Sequence, residues 1–266
     1  MNKVKQSFTL VEILVVIVII GILSSFIFFT INDSVEKANI AKSKMFSESI
    51  RNNLLLNLVG EWDFDDSSSL GKDTWGSNNM TITNIGMEEE SKCVSGGCAN
   101  YMDATITNYI TVPINTINGL TDFTITLWMK AQRTGDRYIV SGATISSDNA
   151  MLLRSTSEDV WRFVMWKRDG TECHAYQDGI INDGLIYSCP PNPISIDSLI
   201  LGQDQDSVGG GFAATQTFNG LLDEFKIYND SVSESQVRQN YLSGLNNLYA
   251  KGLITELEYN EKLSEL

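Results

Sequence analysis

Three kinds of hydrophobic pattern follow one another along this chain. From Phe8 to Phe29 almost every position is apolar, in the run FTLVEILVVIVIIGILSSFIFF. About 22 residues at 1.5 Å each make a helix of about 33 Å, enough to cross a bilayer core of about 30 Å. From Thr30 to Val59 the apolar residues Ile31, Val35, Ala38, Met45, Ile50, Leu54 and Leu58 recur at threes, fours and fives, with charges between them. That spacing predicts a continuation of the helix as an amphipathic stalk. From about Gly60 to Tyr228 the pattern turns to short alternating segments separated by Gly, Asn, Asp and Ser clusters. EWDFD, YITVP, FTITLWMKA, WRFVMW, SLILG and LLDEFKIY read as strands. Many short strands without a helical pattern between them predict an all-β sandwich of roughly 170 residues, large enough to bury its own core.

Helical signals return near the C-terminus. Ser233 followed by Gln236 fits a capping box, and Gly244 ends that helix, predicted over 233–242. LNNLYAKG predicts a short helix stopped at Gly252, and Thr255 with Glu258 caps a last one carrying Leu257, Leu263 and Leu266. The predicted class is α+β: a long N-terminal helix over 8–59, a β-sandwich over 60–232 and C-terminal helices over 233–266.

The first apolar run carries an anomaly. Glu12 lies inside it, where an unpaired carboxylate costs about 2.5–3.5 kcal/mol. No basic residue within the span serves it, so its partner comes from elsewhere, such as a free α-amino group on a neighbouring subunit. Lys3 and Lys5 before the run put the N-terminus in the cytoplasm. Lys37, Lys42 and Lys44 on the far side stand among Asp33, Glu36 and Glu48. A cleavable secretory signal fits less well, because its apolar core is about 7–15 residues and ends at a small-x-small site.

With its acid in place, SFTLVEILVVIVIIGIL resembles the N-terminal signature of type IV pilins and the related pseudopilins. The resemblance implies that prepilin peptidase cuts between Ser7 and Phe8, so that residues 1–7 are a leader. It also implies that the new N-terminus is methylated and that Glu12 docks each subunit into a filament. Ser7 stands where that family has Gly, and Phe29 stands near the place of a helix-softening Pro.

Charge and cysteines narrow the field. The formal net charge is -14, from 33 acidic and 19 basic residues. Such a surface repels phosphate backbones and argues against nucleic acid as the main partner. The four cysteines, Cys93, Cys98, Cys173 and Cys189, show no CxxC spacing, and His174 is the sole histidine, so a zinc site is a poor fit. Export favours disulfides, of which four cysteines allow three pairings. Cys93–Cys98 would close the Val-Ser-Gly-Gly loop, and Cys173–Cys189 would tie two neighbouring strands.

The order of segments in the body carries a second resemblance. EWDFDD, GSNN, GGCANYMDATITNYITVP, DFTITLWMKA, AYQDG, SLILGQD and the closing FNGLLDEFKIYNDSVSESQV are similar to the laminin G-like, concanavalin A-type lectin/glucanase superfamily over most of residues 60–242. Between Trp161 and Gly179 the usual long pair of strands reads as compressed. The resemblance implies a lectin-like head that binds a glycan or surface protein, with a structural calcium near Asp65, Asp103 and Asp223. Asp204 and Asp206 in GQDQDSVGGG are a second candidate ligand group. Trp75, Trp161 and Trp166 are candidates for a sugar-stacking platform, whereas Trp62 and Trp128 alternate with polar residues and read as core. The final LNNLYAKGLITELEYNEKLSEL resembles a short C-terminal helical hairpin motif and implies no activity.

Enzymatic chemistry finds little support. Glu61, Asp63 and Asp65 alternate and so share one strand face, an arrangement that could offer carboxyls about 5–5.5 Å apart. The glucanase acids, however, follow Glu-x-Asp-x-x-Glu on a central strand, while this trio sits on the first. The expected function is therefore structural and not enzymatic: a subunit of a type IV pilus-like filament displaying an adhesive head. Its partners would be sister pilins, prepilin peptidase and the assembly machinery, first in the cytoplasmic membrane and then in an extracellular filament. The rivals are a type II secretion pseudopilin, a membrane-anchored adhesin that never polymerises, and a cell-wall glycosidase.

Overall fold

The computed structural model describes residues 14–20, 56–101, 105–132, 137–155 and 158–266. The chain separates into two compact units, Met1–Arg51 and Asn52–Leu266. In the first unit residues 14–20 are helical, and each of these apolar side chains is about half exposed. Among the described residues no helix is long and apolar enough to cross a membrane. Most of the expected span, with Ser7, Phe8 and Glu12, lies outside them.

The second unit is a β-sandwich followed by two helices. Its strands begin with β1 (Leu58–Trp62), β2 (Thr81–Thr83), β3 (Gly86–Glu88), β4 (Cys98–Asn100) and β5 (Tyr109–Val112). The middle of the chain gives β6 (Phe123–Ala131), β7 (Tyr138–Thr144), β8 (Ser147–Arg154), β9 (Trp161–Asp169) and β10 (Glu172–Gln177). Then come β11 (Ile180–Ile181), β12 (Ile186–Ser188), β13 (Ser198–Leu201) and β14 (Gly220–Tyr228), before helices α1 (Glu234–Ala250) and α2 (Glu256–Ser264). An 8-stranded sheet runs β11-β10-β9-β6-β14-β4-β3, with β1 added on β14, and a 6-stranded sheet runs β12-β8-β7-β13-β5-β2.

The core lies between the sheets, and strand alternation sets its membership. On β6, Phe123, Ile125, Leu127, Met129 and Ala131 face inward, meeting Met151, Leu153, Leu199 and Leu201 of the other sheet. The outward set Thr124, Thr126 and Trp128 is buried as well. Trp128 is covered by α1, where Tyr241 stacks on it at 5.8 Å between ring centroids and leans on Phe163 at 6.2 Å, and Thr124 by the segment before the helix, donating to Asp230 O and accepting from Val232 N. A strand covered on both faces reads as a nearly continuous apolar run.

Three expectations are corrected here. The stalk does not continue helically to Val59, because Leu58 opens β1, pairing with Tyr228 while Trp62 pairs with Phe225. Gly244 does not end its helix; α1 runs through it to Ala250, and Gly244 is the point where helix and Trp128 approach most closely. The stretch 161–179 is not compressed, since β9 and β10 form a ladder from Glu172↔Asp169 to Gln177↔Val164. The caps are as expected: the Gln236 carboxamide accepts from Ser233 N, and Thr255 Oγ1 accepts from Glu258 N while Glu258 accepts from Thr255 N.

Candidate functional site

β14 organises the first group of acids. One of its edges pairs with β6, while the other is shared between β4 at Leu221 and Leu222 and β1 from Phe225 onward. Asp223 and Glu224 fall in the gap, at a register shift where Glu224 takes φ 52°. The loop closed by the Cys93–Cys98 disulfide fills that gap. Val94 N and Ser95 N donate to Asp223 Oδ2 at 2.8 and 3.0 Å, and Gly97 N donates to Asp65 Oδ1 at 2.6 Å. A side chain at Gly96 would collide with Asp65, its Cβ standing 1.9 Å from Oδ1, so the glycine is required there.

Asp65 and Asp223 are thus brought together, as the resemblance implied, while Asp103 lies outside the described residues. Asp223 is fully buried, and its Oδ1 has no hydrogen-bond partner. Burial first, then the charge of Glu224, pushes its carboxyl well above the usual range despite the two amides. Asp65 is pushed up by burial and by Asp63. The donors facing Asp223 Oδ2 are amide hydrogens, which serve a carboxylate and repel a cation. Calcium needs about 6–8 oxygens. Lys251, the residue that caps the C-terminus of α1, closes the cluster by donating to Glu90 O and Cys93 O at 3.1 and 3.2 Å.

The second group lies on the outer face of the smaller sheet. There the chain from Gly202 to Phe218 folds back over β7 and β13, held by the alternation in Gln-Asp-Gln-Asp. The two glutamines, both fully buried, are the anchors. Gln203 Nε2 donates to Thr105 O and Asn108 O, each at 2.9 Å, and its Oε1 accepts from Thr217 at 2.8 Å. Gln205 Nε2 donates to Ser141 O at 2.8 Å, while its Oε1 accepts from Gly209 N at 2.8 Å and from the Ser198 hydroxyl.

Asp204, between these anchors, is buried, and Asp206, just after them, is exposed. Gln216 Nε2 donates to Asp204 Oδ2 at 2.8 Å, whereas the buried Asp204 Oδ1 has no partner. Burial, then the charge of Asp206, and to a lesser degree that of Asp148 at the start of β8, push the Asp204 carboxyl up. Among the described residues no three His, Cys, Asp or Glu side chains already converge as a metal cluster. A cation here would therefore also need Gln216 and main-chain oxygens. The oxygens nearby are hard, with one buried carboxylate oxygen unsatisfied, and they suit calcium rather than zinc, although Gln216 now turns its N–H toward Asp204 and would have to flip to offer its oxygen.

The tryptophan platform does not form. Trp161 and Trp166 lie five residues apart on β9 and so face opposite sides of the sheet, both buried. Trp161 Nε1 donates to Lys92 O at 3.2 Å, and Trp166 packs edge-on against Phe123 in the core. Trp75 alone is exposed, on a loop built around Asp73. Glu61 is held by Lys226 at 2.8 Å, and Asp63 caps Asp65 N at 3.2 Å, so the alternating trio serves the fold. Sequence reasoning missed Asp148 and Gln216. Asp148 is remote in the chain and joins Asp204 only through the β7–β8 hairpin, while the alternating glutamines were a visible signal for the loop.

Comparison with known proteins adds the family context. Residues 2–28 match the prokaryotic N-terminal methylation motif, and residues 192–258, which hold the Asp204 loop, β14 and α1, match the Pentaxin family. Human neuronal pentraxin-1 (Homo sapiens) is 42% identical over 76 residues, 28% of this chain and 17% of that protein. C-reactive protein 1.1 of Limulus polyphemus is 28% identical over 162 residues, 50% of this chain and 65% of its own. The chain thus spans about 17% of the length of neuronal pentraxin-1. Among solved structures, domain 4 of AbnA, a GH43 extracellular arabinanase from Geobacillus stearothermophilus solved with arabinotriose, superposes with a TM-score of 0.52 at 19% identity, over 68% of this chain and 97% of that one. The binding domain of Paraclostridial Mosquitocidal Protein 1 gives 0.53 at 19% identity, over 73% and 53%. This chain joins an N-terminal methylation motif, the type IV pilin signature, to a pentraxin-like β-sandwich of the concanavalin A-like lectin fold.

Proposed function

We propose that the protein is a pilin-like subunit that carries a laminin G- or pentraxin-like lectin head to the cell surface and there binds a glycan or surface protein without hydrolysing it. The observation that carries this reading is the union in one chain of the methylation motif at residues 2–28 with the sandwich that begins at Leu58. The motif supplies a cleavage point at Phe8, a membrane stage and Glu12 as the assembly acid. Prepilin peptidase and sister subunits are its partners. A Glu12→Ala chain should stay in the membrane and fail to enter filaments seen by electron microscopy. Intact mass should place the mature N-terminus at Phe8. Normal filament yield from the variant, or retained Met1, would sink the reading.

For the head, we place the calcium proposal at Asp148, Asp204, Asp206 and Gln216 rather than at Asp65 and Asp223. Its support is the unpartnered buried Asp204 oxygen, with the charges of Asp206 and Asp148 near enough to act on that carboxyl, together with the pentraxins' own use of calcium. A bound cation would neutralise this cluster and leave open positions for hydroxyl or anionic groups of a ligand. Calcium that binds only the folded state raises the melting temperature with concentration. That rise should be present in the full chain in detergent and absent in an Asp204→Asn, Asp206→Asn double variant. Identical melts in calcium and chelator would remove the metal. Release of reducing ends from a polysaccharide panel would overturn the non-enzymatic reading.

A further inference from the structure

At the edge where the two sheets part, the chain leaves β1, makes the loop 66–73, and crosses from β2 in one sheet to β3 in the other. Between that loop and that crossover lies a cleft of about 400 Å3, within the size range of small-ligand sites. Its floor is apolar and buried, made by Leu70, Met80 and Ile85. Its rim is polar, with the exposed Ser67, Ser69 and Lys72.

The walls are fixed by hydrogen bonds made elsewhere. Met80 N donates to Gly71 O at 2.7 Å, and Asp73 N to Asn79 Oδ1 at 2.9 Å, zipping the loop to the strand opposite. A Cβ at Gly71 would stand 2.4 Å from Met80 O, so the zip depends on that glycine. Asp66, the acid nearest in sequence to this rim, is turned onto Ser68, accepting from its N at 2.9 Å and its Oγ at 2.6 Å. Lys72 is in no ion pair of contact distance among the described residues, though its charge helps hold the Asp66 carboxyl below its usual value, after the bonds from Ser68. Among the described residues Lys72 is thus the one cation lining the cleft, with hydroxyls above and hydrocarbon below, and Asp66 close by is already committed to Ser68.

We propose that this cleft is a binding subsite for a carboxylated sugar residue of the uronic-acid class, its ring face on Leu70 and Met80, its hydroxyls toward Ser67 and Ser69, and its carboxylate toward Lys72. A pyranose ring presents one apolar face and several hydroxyls, and a single carboxylate matches the single cation. The subsite lies apart from Asp148, Asp204 and Asp206 and needs no metal.

The test is calorimetric titration of the full-length protein in detergent, in EDTA throughout, so that a calcium-dependent site at Asp204 is silent and its failure is scored separately. Trigalacturonic acid is compared with the neutral galactotriose. The acid should bind at least about tenfold more tightly, and added salt should weaken it. Lys72→Ala should reduce acid binding to the neutral level. Gly86 lines the cleft, and a side chain there meets no atom within 4 Å, so Gly86→Trp should block both ligands while circular dichroism shows an unchanged fold. No binding of the acid by the native protein, equal binding of both sugars, or unchanged binding in Lys72→Ala would each overturn the proposal. A folded Gly86→Trp protein that still binds would do so too.

Discussion

Gly244 of α1 lies flat on the indole of Trp128, so closely that a methyl group added there would stand 2.2 Å from Trp128 Cζ2. Alanine is the better helix former by about 1 kcal/mol, yet crowding a packed contact costs about 1–3 kcal/mol. Gly244→Ala is therefore expected to lower stability by up to about 2 kcal/mol, and not to raise it. Urea melts of the two proteins decide it, and a stabilised variant would mean that α1 does not dock as described.

Asp73 holds the loop between β1 and β2. Its Oδ1 accepts from Glu61 N, Trp75 N and Gly76 N at 3.0–3.1 Å, and its Oδ2 accepts from Asn78 N at 2.9 Å. Burial pushes the carboxyl up, but the four amides together outweigh it and hold it below the usual value. A depressed carboxylate stabilises the fold above its unfolded pKa, about 3.9, and that contribution disappears as pH falls through the folded value. Between about pH 5 and pH 2 the native protein should thus lose more melting temperature than Asp73→Asn. Parallel slopes would show that the amides do not select the charged form.

Asp223 has the opposite sign. Its carboxyl is raised, chiefly by burial, so its contribution is present below the unfolded pKa and fades as pH rises through the folded one. Asp223→Asn, which still offers an acceptor to Val94 and Ser95, should match or exceed native stability at neutral pH and remove part of the gain on acidification. Asp223→Ala should cost roughly 2–3 kcal/mol, because two amides lose their acceptor. If Asn proved as harmful as Ala, the ionised form would be the one the fold requires.

The Cys173–Cys189 bridge ties β10 of the larger sheet to the chain just after β12 of the smaller one, across 16 positions. The Cys93–Cys98 bridge spans 5. From loop size the first is worth about 3 kcal/mol and the second about 2. Replacing each pair by serines should lower the denaturation midpoint more for the former. The reverse order would indicate that the short loop matters chiefly through the amides it presents to Asp223.

How much of this was legible follows from how local each signal is. The alternation in FTITLWMKA and LLDEFKIY fixed β6 and β14, because a period of two is written into consecutive residues. The same parity puts Trp161 and Trp166, five residues apart, on opposite faces of β9, which their grouping into one platform overlooked. β7 and β8 went unread: their outward positions are covered by the chain after β13, so buried Ser141 pairs across from buried Leu152 and the polar–apolar contrast is lost. Gly244 misled as a helix stop because the reason for it, the Trp128 ring, lies more than a hundred residues away. The pairing of Asp65 with Asp223 came from resemblance and that of Asp148 with Asp204 not at all, since only sheet topology brings such residues together.

The way β1 joins the sandwich has a mechanical consequence. The chain enters the head through this short strand, laid antiparallel along β14 from Leu58↔Tyr228 to Trp62↔Phe225, with Asn57 just before it bonded to Asn229 N and Asp230. Tension arriving from the N-terminal side and directed along the strand loads those cross-strand hydrogen bonds simultaneously, in shear, instead of opening them one by one. At the far end Trp62 acts as a stop: its indole is buried against Phe225 at 5.5 Å, and its Nε1 is tied to Asn78 O at 3.0 Å. A head pulled in this way yields only when the whole ladder and its terminal wedge slip together.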